Sequence, residues 1–144
     1  MNEESHAKAQ RREGVGAEEE RLAAVLVDAC IKIHRDLGPG LLESVYEAVL
    51  AHELRVRGCQ VARQVPIPVV YEGMWFEEGF RADIVVDGRL LVELKSVERV
   101  APVHKKQVLT YLRLMGISLG FLVNFGDELM KTGIHRIINN RRDG

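Results

Sequence analysis

Residues 82–96 read Ala-Asp-Ile-Val-Val-Asp-Gly-Arg-Leu-Leu-Val-Glu-Leu-Lys-Ser. Two β-branched, apolar runs broken by Asp87-Gly88 are the strongest short-range signal for a hairpin, because both turn residues tolerate positive φ. The hairpin carries three charges in otherwise apolar strands: Asp83 on the first, Glu93 and Lys95 on the second. Their register decides what they can do. A plain two-residue loop sets Asp83 opposite Val92 and turns Glu93 to the other face. A three-residue loop, Val86-Asp87-Gly88 with Gly88 left-handed, pairs Val85 with Arg89 and Asp83 with Leu91. Asp83, Glu93 and Lys95 then share a face, with Glu93 diagonal to Asp83. A shared site therefore predicts an odd-length loop or a compensating bulge, with Ile84, Val92 and Leu94 buried on the opposite face.

Two carboxylates and an amine on one face suit metal-assisted phosphodiester cleavage. Asp83 and Glu93 are hard oxygen ligands for Mg2+ or Mn2+, completed by water and the Leu94 backbone carbonyl. Lys95 can orient the attacking water or stabilise charge developing on phosphorus oxygens. A solvent-facing Asp/Glu/Lys set held by weak ion pairs is the plainer alternative.

Around the hairpin, periodicity sets the order of elements. Apolar residues at helical spacing (Leu22, Val25, Leu26, Ala29, Ile33, Leu37) predict a helix over 18–37, started by Glu18-Glu19-Glu20 and stopped by Gly38-Pro39-Gly40. A second helix is predicted over 41–57 with the stripe Leu42, Val45, Val49, Leu50 and Leu54, ending at Gly58. Val61 to Tyr71 reads as a strand that Pro66 and Pro68 confine to an edge. Strands follow over 74–86 and 89–96, then a helix over 103–115, a buried strand over 117–124, a Gly126-Asp127 turn and a strand over 133–138. Residues 1–17 read as a loose tail and 18–140 as a single domain. Helix, helix, three strands, helix, strand, strand is an α/β (mixed α+β) pattern, solved by a central mixed sheet flanked by helices.

The third helix adds polar groups. His104, Gln107 and Tyr111 lie on one edge beside the apolar stripe Val108, Leu112 and Met115. Gln107 can bond a phosphate or water, and His104 or Lys105 a nucleic-acid backbone. On the second helix Glu43, Tyr46 and Glu47 stand three and four apart. Glu43 can reach the sheet as a further carboxylate ligand; Tyr46 serves equally as a core aromatic with a satisfied hydroxyl. Arg55, Arg57, Arg63, Arg81, Arg99, Lys105 and Lys106 can contribute to a phosphate-binding surface, although a formal net charge of -1 gives no global steering toward nucleic acid. Cys30 and Cys59 sit in apolar contexts and read as buried thiols. There is no zinc-type Cys/His spacing and no phosphate-binding loop of P-loop type. No stretch approaches the roughly 20 apolar residues of a membrane span, and a cytoplasmic location is expected.

Gly40-Leu41-Leu42-Glu43-Ser44-Val45-Tyr46 resembles the signature of the bacterial GxxExxY proteins, within the PD-(D/E)XK nuclease-like superfamily. Gly79 to Asp83, Val92 to Lys95 and His104 to Leu114 agree with the same pattern. The likeness covers about residues 20 to 139. It implies a restriction-endonuclease-like core. Asp83 and Glu93 match the acidic metal ligands, Lys95 the superfamily lysine, Gln107 the glutamine of the following helix, and Glu43 the family glutamate. Ala82 stands where the superfamily's name has proline. The resemblance implies Mg2+-dependent hydrolysis of nucleic acid, DNA rather than RNA. Tyr46, Arg81, His104, Lys105 and Tyr111 are supporting or substrate-binding candidates. Two other readings remain open: a nucleic-acid-binding protein that leaves the phosphodiester intact, and a protein-interaction or oligomerisation module. So small a domain offers little surface to DNA, which makes a homodimer an expected partner state.

Overall fold

The computed structural model describes residues 14–140. Helices α1 (Ala17–Leu37) and α2 (Glu43–Val56) precede strands β1 (Val61–Tyr71), β2 (Met74–Val86) and β3 (Leu90–Lys95). Helix α3 (Pro102–Met115), β4 (Leu119–Asn124), the single turn α4 (Met130–Gly133) and β5 (Ile134–Ile138) complete the domain. The five strands form one sheet in the order β1-β2-β3-β4-β5. Only β3 and β4 run parallel, as they must when α3 carries the chain across one face of the sheet. The sheet is thus mixed, as expected, with β1 at an edge where Pro66 and Pro68 remove no interior ladder bond. Its register against β2 shifts between Ile67 and Val69.

Alternation along the strands divides the core. Ile84, Val86, Leu90, Val92, Leu94, Phe121 and Val123 face α1 and α2. Val85, Leu91 and Leu122 face α3, which lays Val108, Tyr111 and Leu112 over them. Cys30 and Cys59 are buried free thiols. Among the described residues no helix is long and apolar enough to cross a membrane.

Three expectations need correction. Most of the 1–17 tail lies outside the described residues, but within them Val15 is buried in the core and α1 already begins at Ala17. The buried face of α2 is Tyr46, Leu50, Ala51 and Leu54, whereas Leu42 and Val45 are exposed. The helix is rotated because the Tyr46 ring stacks on Phe125 with centroids 4.3 Å apart, while its hydroxyl donates to the Gly38 carbonyl. Finally, the turn after β2 differs in detail. Asp87 (φ 51°) and Gly88 (φ 66°) are both left-handed, and the Arg89 N–H donates to the Val86 carbonyl, the geometry of a two-residue hairpin turn. Yet Val86 pairs with Leu90, so Arg89 is a one-residue bulge. This is the compensating irregularity a shared site demands, one position further along than the loop over 86–88.

Candidate metal centre

That bulge places Asp83 directly opposite Glu93. Regular pairing of β2 with β3 ends at Ile84 and Val92, and from there the carboxylates take over from the backbone. The Asp83 N–H donates to Glu93 Oε1 at 2.8 Å, and the Leu94 N–H donates to Asp83 Oδ2 at 2.8 Å. The Leu94 N–H therefore points toward β2, and the carbonyl of the same residue points to that side of the strand. On the outer side, the β1–β2 register sets Gln64 opposite Asp83. Toward β5, Glu93 pairs with Leu122 and Leu122 with His135. Gln64, Asp83, Glu93, Leu122 and His135 form one transverse row across all five strands.

The electrostatics are those of two acids held together in low dielectric. Glu93 is buried and its carboxyl is pushed up to about 8, first by burial and then by the charge of Asp83. The Asp83 N–H and the Lys95 ammonium oppose that rise. Asp83 is also raised, chiefly by burial, with the Glu93 and Gln64 side chains and the Leu94 N–H pulling the other way and Glu47 adding to the rise. Burial and mutual repulsion thus favour a pair that holds one proton between its two carboxyl groups. Two carboxyl groups that hold a proton between them have a donor set that fits a divalent cation, whose charge relieves the same repulsion. Among the described residues no three His, Cys, Asp or Glu side chains converge as a complete cage. The protein would thus supply two carboxylates and leave other positions to water and substrate, the habit of Mg2+ sites.

Behind Asp83 stands Glu47, which helical spacing alone does not single out from Glu43. It is buried on α2; its Oε2 accepts from Arg63 Nε at 3.0 Å and its Oε1 from Gln64 Nε2 at 2.6 Å. Gln64 Nε2 also reaches Asp83 Oδ1 at 3.3 Å, so one amide bridges the two acids. Glu43, one turn earlier, is exposed at the start of α2. Both glutamates lie on the same helical edge, four residues apart, and it is Glu47 that joins the hydrogen-bonded network. Gln64 itself has φ +50° inside a strand, an uncommon conformation for a side-chain-bearing residue. Relieving that backbone should be measurable: Gln64→Gly is expected to be more stable than Gln64→Ala by about 1 kcal/mol in denaturant unfolding, since both lose the bridge and only glycine tolerates the conformation. Equal stability would mean that position 64 holds no strain.

The other candidates fall at varying distance from the pair. Lys95 is half-buried, on the same face of β3 as Glu93. Tyr111 is buried beneath α3, its ring against Phe80 with centroids 5.1 Å apart. Its hydroxyl is pushed up to about 12 by burial and by the charges of Glu93 and Asp83, which places it beside the site as a group that keeps its proton. Gln107 is half-buried one turn earlier. His104 closes the start of α3. Its N–H donates to the Ala101 carbonyl at 3.0 Å while its Nδ1 accepts from the Ala101 N–H at 3.2 Å, a reciprocal cap. Tyr46 is a core residue. Arg57 pairs with Asp28 and Glu53, Arg63 with Glu47, and Arg55 bonds the Val61 carbonyl, so these three are committed within the fold. Arg81 is exposed and donates to the Gln64 carbonyl at 3.3 Å; Arg99, Lys105 and Lys106 are exposed as well.

A model of the PD-(D/E)XK nuclease superfamily matches residues 20–137. No curated protein and no solved structure matches the chain.

Proposed function

Because the chain belongs to the PD-(D/E)XK nuclease superfamily, we propose that it is a metal-dependent nuclease of the GxxExxY kind, hydrolysing DNA in preference to RNA. One observation carries this reading: Asp83 and Glu93 are bonded across the end of the β2–β3 ladder, partly withdrawn from water, with Lys95 two residues beyond Glu93 on the same face. The preference for DNA and the GxxExxY assignment rest on likeness to that superfamily and on the residues 40–46.

Asp83 and Glu93 would hold Mg2+ or Mn2+, with the Leu94 carbonyl on the same side of the strand and Glu43 exposed at the start of α2. A divalent ion bound there would supply Lewis-acid polarisation of the phosphodiester and a water acidic enough to attack at neutral pH. Binding the ion would require both carboxyl groups to be ionised. Lys95 supplies a fixed positive charge beside Glu93, placed to orient the attacking water and to stabilise charge developing on the phosphate oxygens. Tyr111 stays protonated across the working range, so it donates a hydrogen bond and takes no proton. The half-buried Gln107 amide offers a neutral donor to phosphate or water. Glu47 and Gln64 act one step removed, holding Asp83 in place.

The experiment is cleavage of labelled single-stranded DNA, duplex DNA and RNA in Mg2+ or Mn2+, with chelator controls and the Lys95→Ala variant. Cleavage of DNA that chelation abolishes, with Lys95→Ala losing about 10²-fold or more, is the expected outcome. A folded wild type that leaves every substrate intact in both metals sinks the nuclease reading and favours binding without cleavage.

A further inference from the structure

The distal half of the β1–β2 hairpin has no counterpart in the rest of the sheet. Pairing of β2 with β3 covers only Ile84 to Val86, so β2 from Met74 to Asp83 continues past the end of regular β2–β3 pairing. Ile67 is buried, and Phe80 leans on Tyr111, so α3 supports the base of this ribbon. Beyond that base the two strands stand as an arm closed by a left-handed Glu72-Gly73 turn. Its large apolar side chains face outward: Trp75 is 67% exposed, Tyr71 65% and Met74 61%, with Val70 and Phe76 also exposed. Cross-strand pairs place Tyr71, Met74 and Phe76 on one face and Val70 and Trp75 on the other. A two-stranded ribbon with no third strand behind it is marginal in water, and one apolar on both faces is poorly suited to remain uncovered.

We propose that this arm is a homodimer interface, in which the arms of two copies of the chain cross antiparallel about a two-fold axis. Charge selects the occupant. From Gln64 to Phe80 the sequence contains three glutamates and no lysine, arginine or histidine, so the arm repels phosphate and is no nucleic-acid contact. The cations that flank it are Arg63, paired with Glu47, and Arg81, exposed at its base. From Gly73 to Arg81 an extended strand spans about 26 Å, and an antiparallel crossing of two such arms brings the Glu72 tip of each copy to the Arg81 base of the other. Area sets its strength. A face-to-face crossing covers one face of each ribbon: Val70 and Trp75 offer on the order of 250 Å2 per copy, hence about 500 Å2 for the symmetric pair, the size of a transient contact. The association is therefore weak and concentration-dependent. Addition of a strand at the β1 edge is disfavoured by Pro66 and Pro68, so the contact is face to face.

Trp75 is the sole tryptophan of the chain and reports directly on the arm. Sedimentation of the full chain from about 1 μM to several hundred μM, the range of a weak complex, should show mass rising from monomer to dimer. Trp75 emission should shift to shorter wavelength over the same range. Arg81→Glu alone should weaken association about tenfold, and combining it with Glu72→Arg should restore it, with circular dichroism verifying the fold throughout. A monomer at every concentration overturns the proposal. So does a short-wavelength emission at monomer mass, which would mean that the arm lies on its own domain, or a dimer unaffected by the charge reversal at Arg81. None of these readouts involves cleavage, so they stand apart from the nuclease assay.

Discussion

Glu93→Gln is expected to abolish metal-dependent cleavage, by roughly 10³-fold or more, and at the same time to raise the melting temperature of the metal-free protein near pH 8. The substituted amide can still accept from the Asp83 N–H and can donate to the Asp83 carboxylate, so the geometry at the end of the β2–β3 ladder survives. What changes is charge. Burial and the Asp83 carboxylate push Glu93 up to about 8 in the fold, from an ordinary value of 4.5. Between those two pH values the folded chain keeps a proton that the unfolded chain has released, so stability falls as pH rises through the window. The wild type therefore carries a cost of about 1–3 kcal/mol at pH 8, which the variant lacks. The difference amounts to roughly 3–10 °C by calorimetry in chelator and should shrink toward pH 4.5. Saturating Mg2+ should stabilise the wild type and leave the variant nearly unchanged. A variant that melts below the wild type at pH 8 would contradict the shared-proton description of the pair.

Gly126→Ala should be the most damaging single-methyl change in the domain. A Cβ at this position would lie 2.1 Å from the Val97 carbonyl oxygen and 2.7 Å from its nitrogen, both backbone atoms that cannot rotate away. The close approach is enforced by Asn124, fully buried at the end of β4. Its Oδ1 accepts from the N–H groups of Val97 and Gly126, and its Nδ2 donates to the Val97 carbonyl and to Asp127. Every bonding position of that amide is used. The clamp joins the chain leaving β3 just after Lys95 to the chain leaving β4, and α1 is tied to it through His34 Nε2, which donates to the Asp127 carbonyl at 2.7 Å. The expected loss is about 3 kcal/mol or more, a fall of roughly 10 °C by thermal unfolding. A variant melting within about 2 °C of the parent, inside the reach of an ordinary surface change, would show that Val97 can move aside.

Much of this architecture was legible in the sequence because it is local. Helix and strand periodicities, the proline-marked edge strand and the Asp-Gly turn all follow from neighbours within a few residues. The features that were not legible depend on partners far along the chain. Leu42 and Val45 fit a helical stripe as well as Leu50 does, and only the stacking of Tyr46 on Phe125, 79 positions away, turns them outward. Glu43 and Glu47 share an edge of α2, and nothing in their spacing says that Arg63 and Gln64 of β1 will meet Glu47. The bulge at Arg89 is chemically ordinary, so the register that brings Asp83 straight across from Glu93 could be demanded by the site but not read from the turn. Gln64, an unremarkable residue in a proline-rich strand, gave no sign of its left-handed backbone.

The hydrogen bonds at the end of the β2–β3 ladder have one more effect. The amides of Asp83 and Leu94 bond to carboxylates, where their neighbours on the ladder bond to carbonyls. A carbonyl keeps its lone pairs whatever the solution contains, but a carboxylate changes strength as an acceptor when it gains a proton or a cation. Hydrogen–deuterium exchange at these two backbone positions is therefore coupled to the occupancy of the centre, while exchange along the rest of the ladder follows the opening of the fold. The backbone itself carries a two-residue gauge of what the carboxylates hold, readable without substrate and without any label.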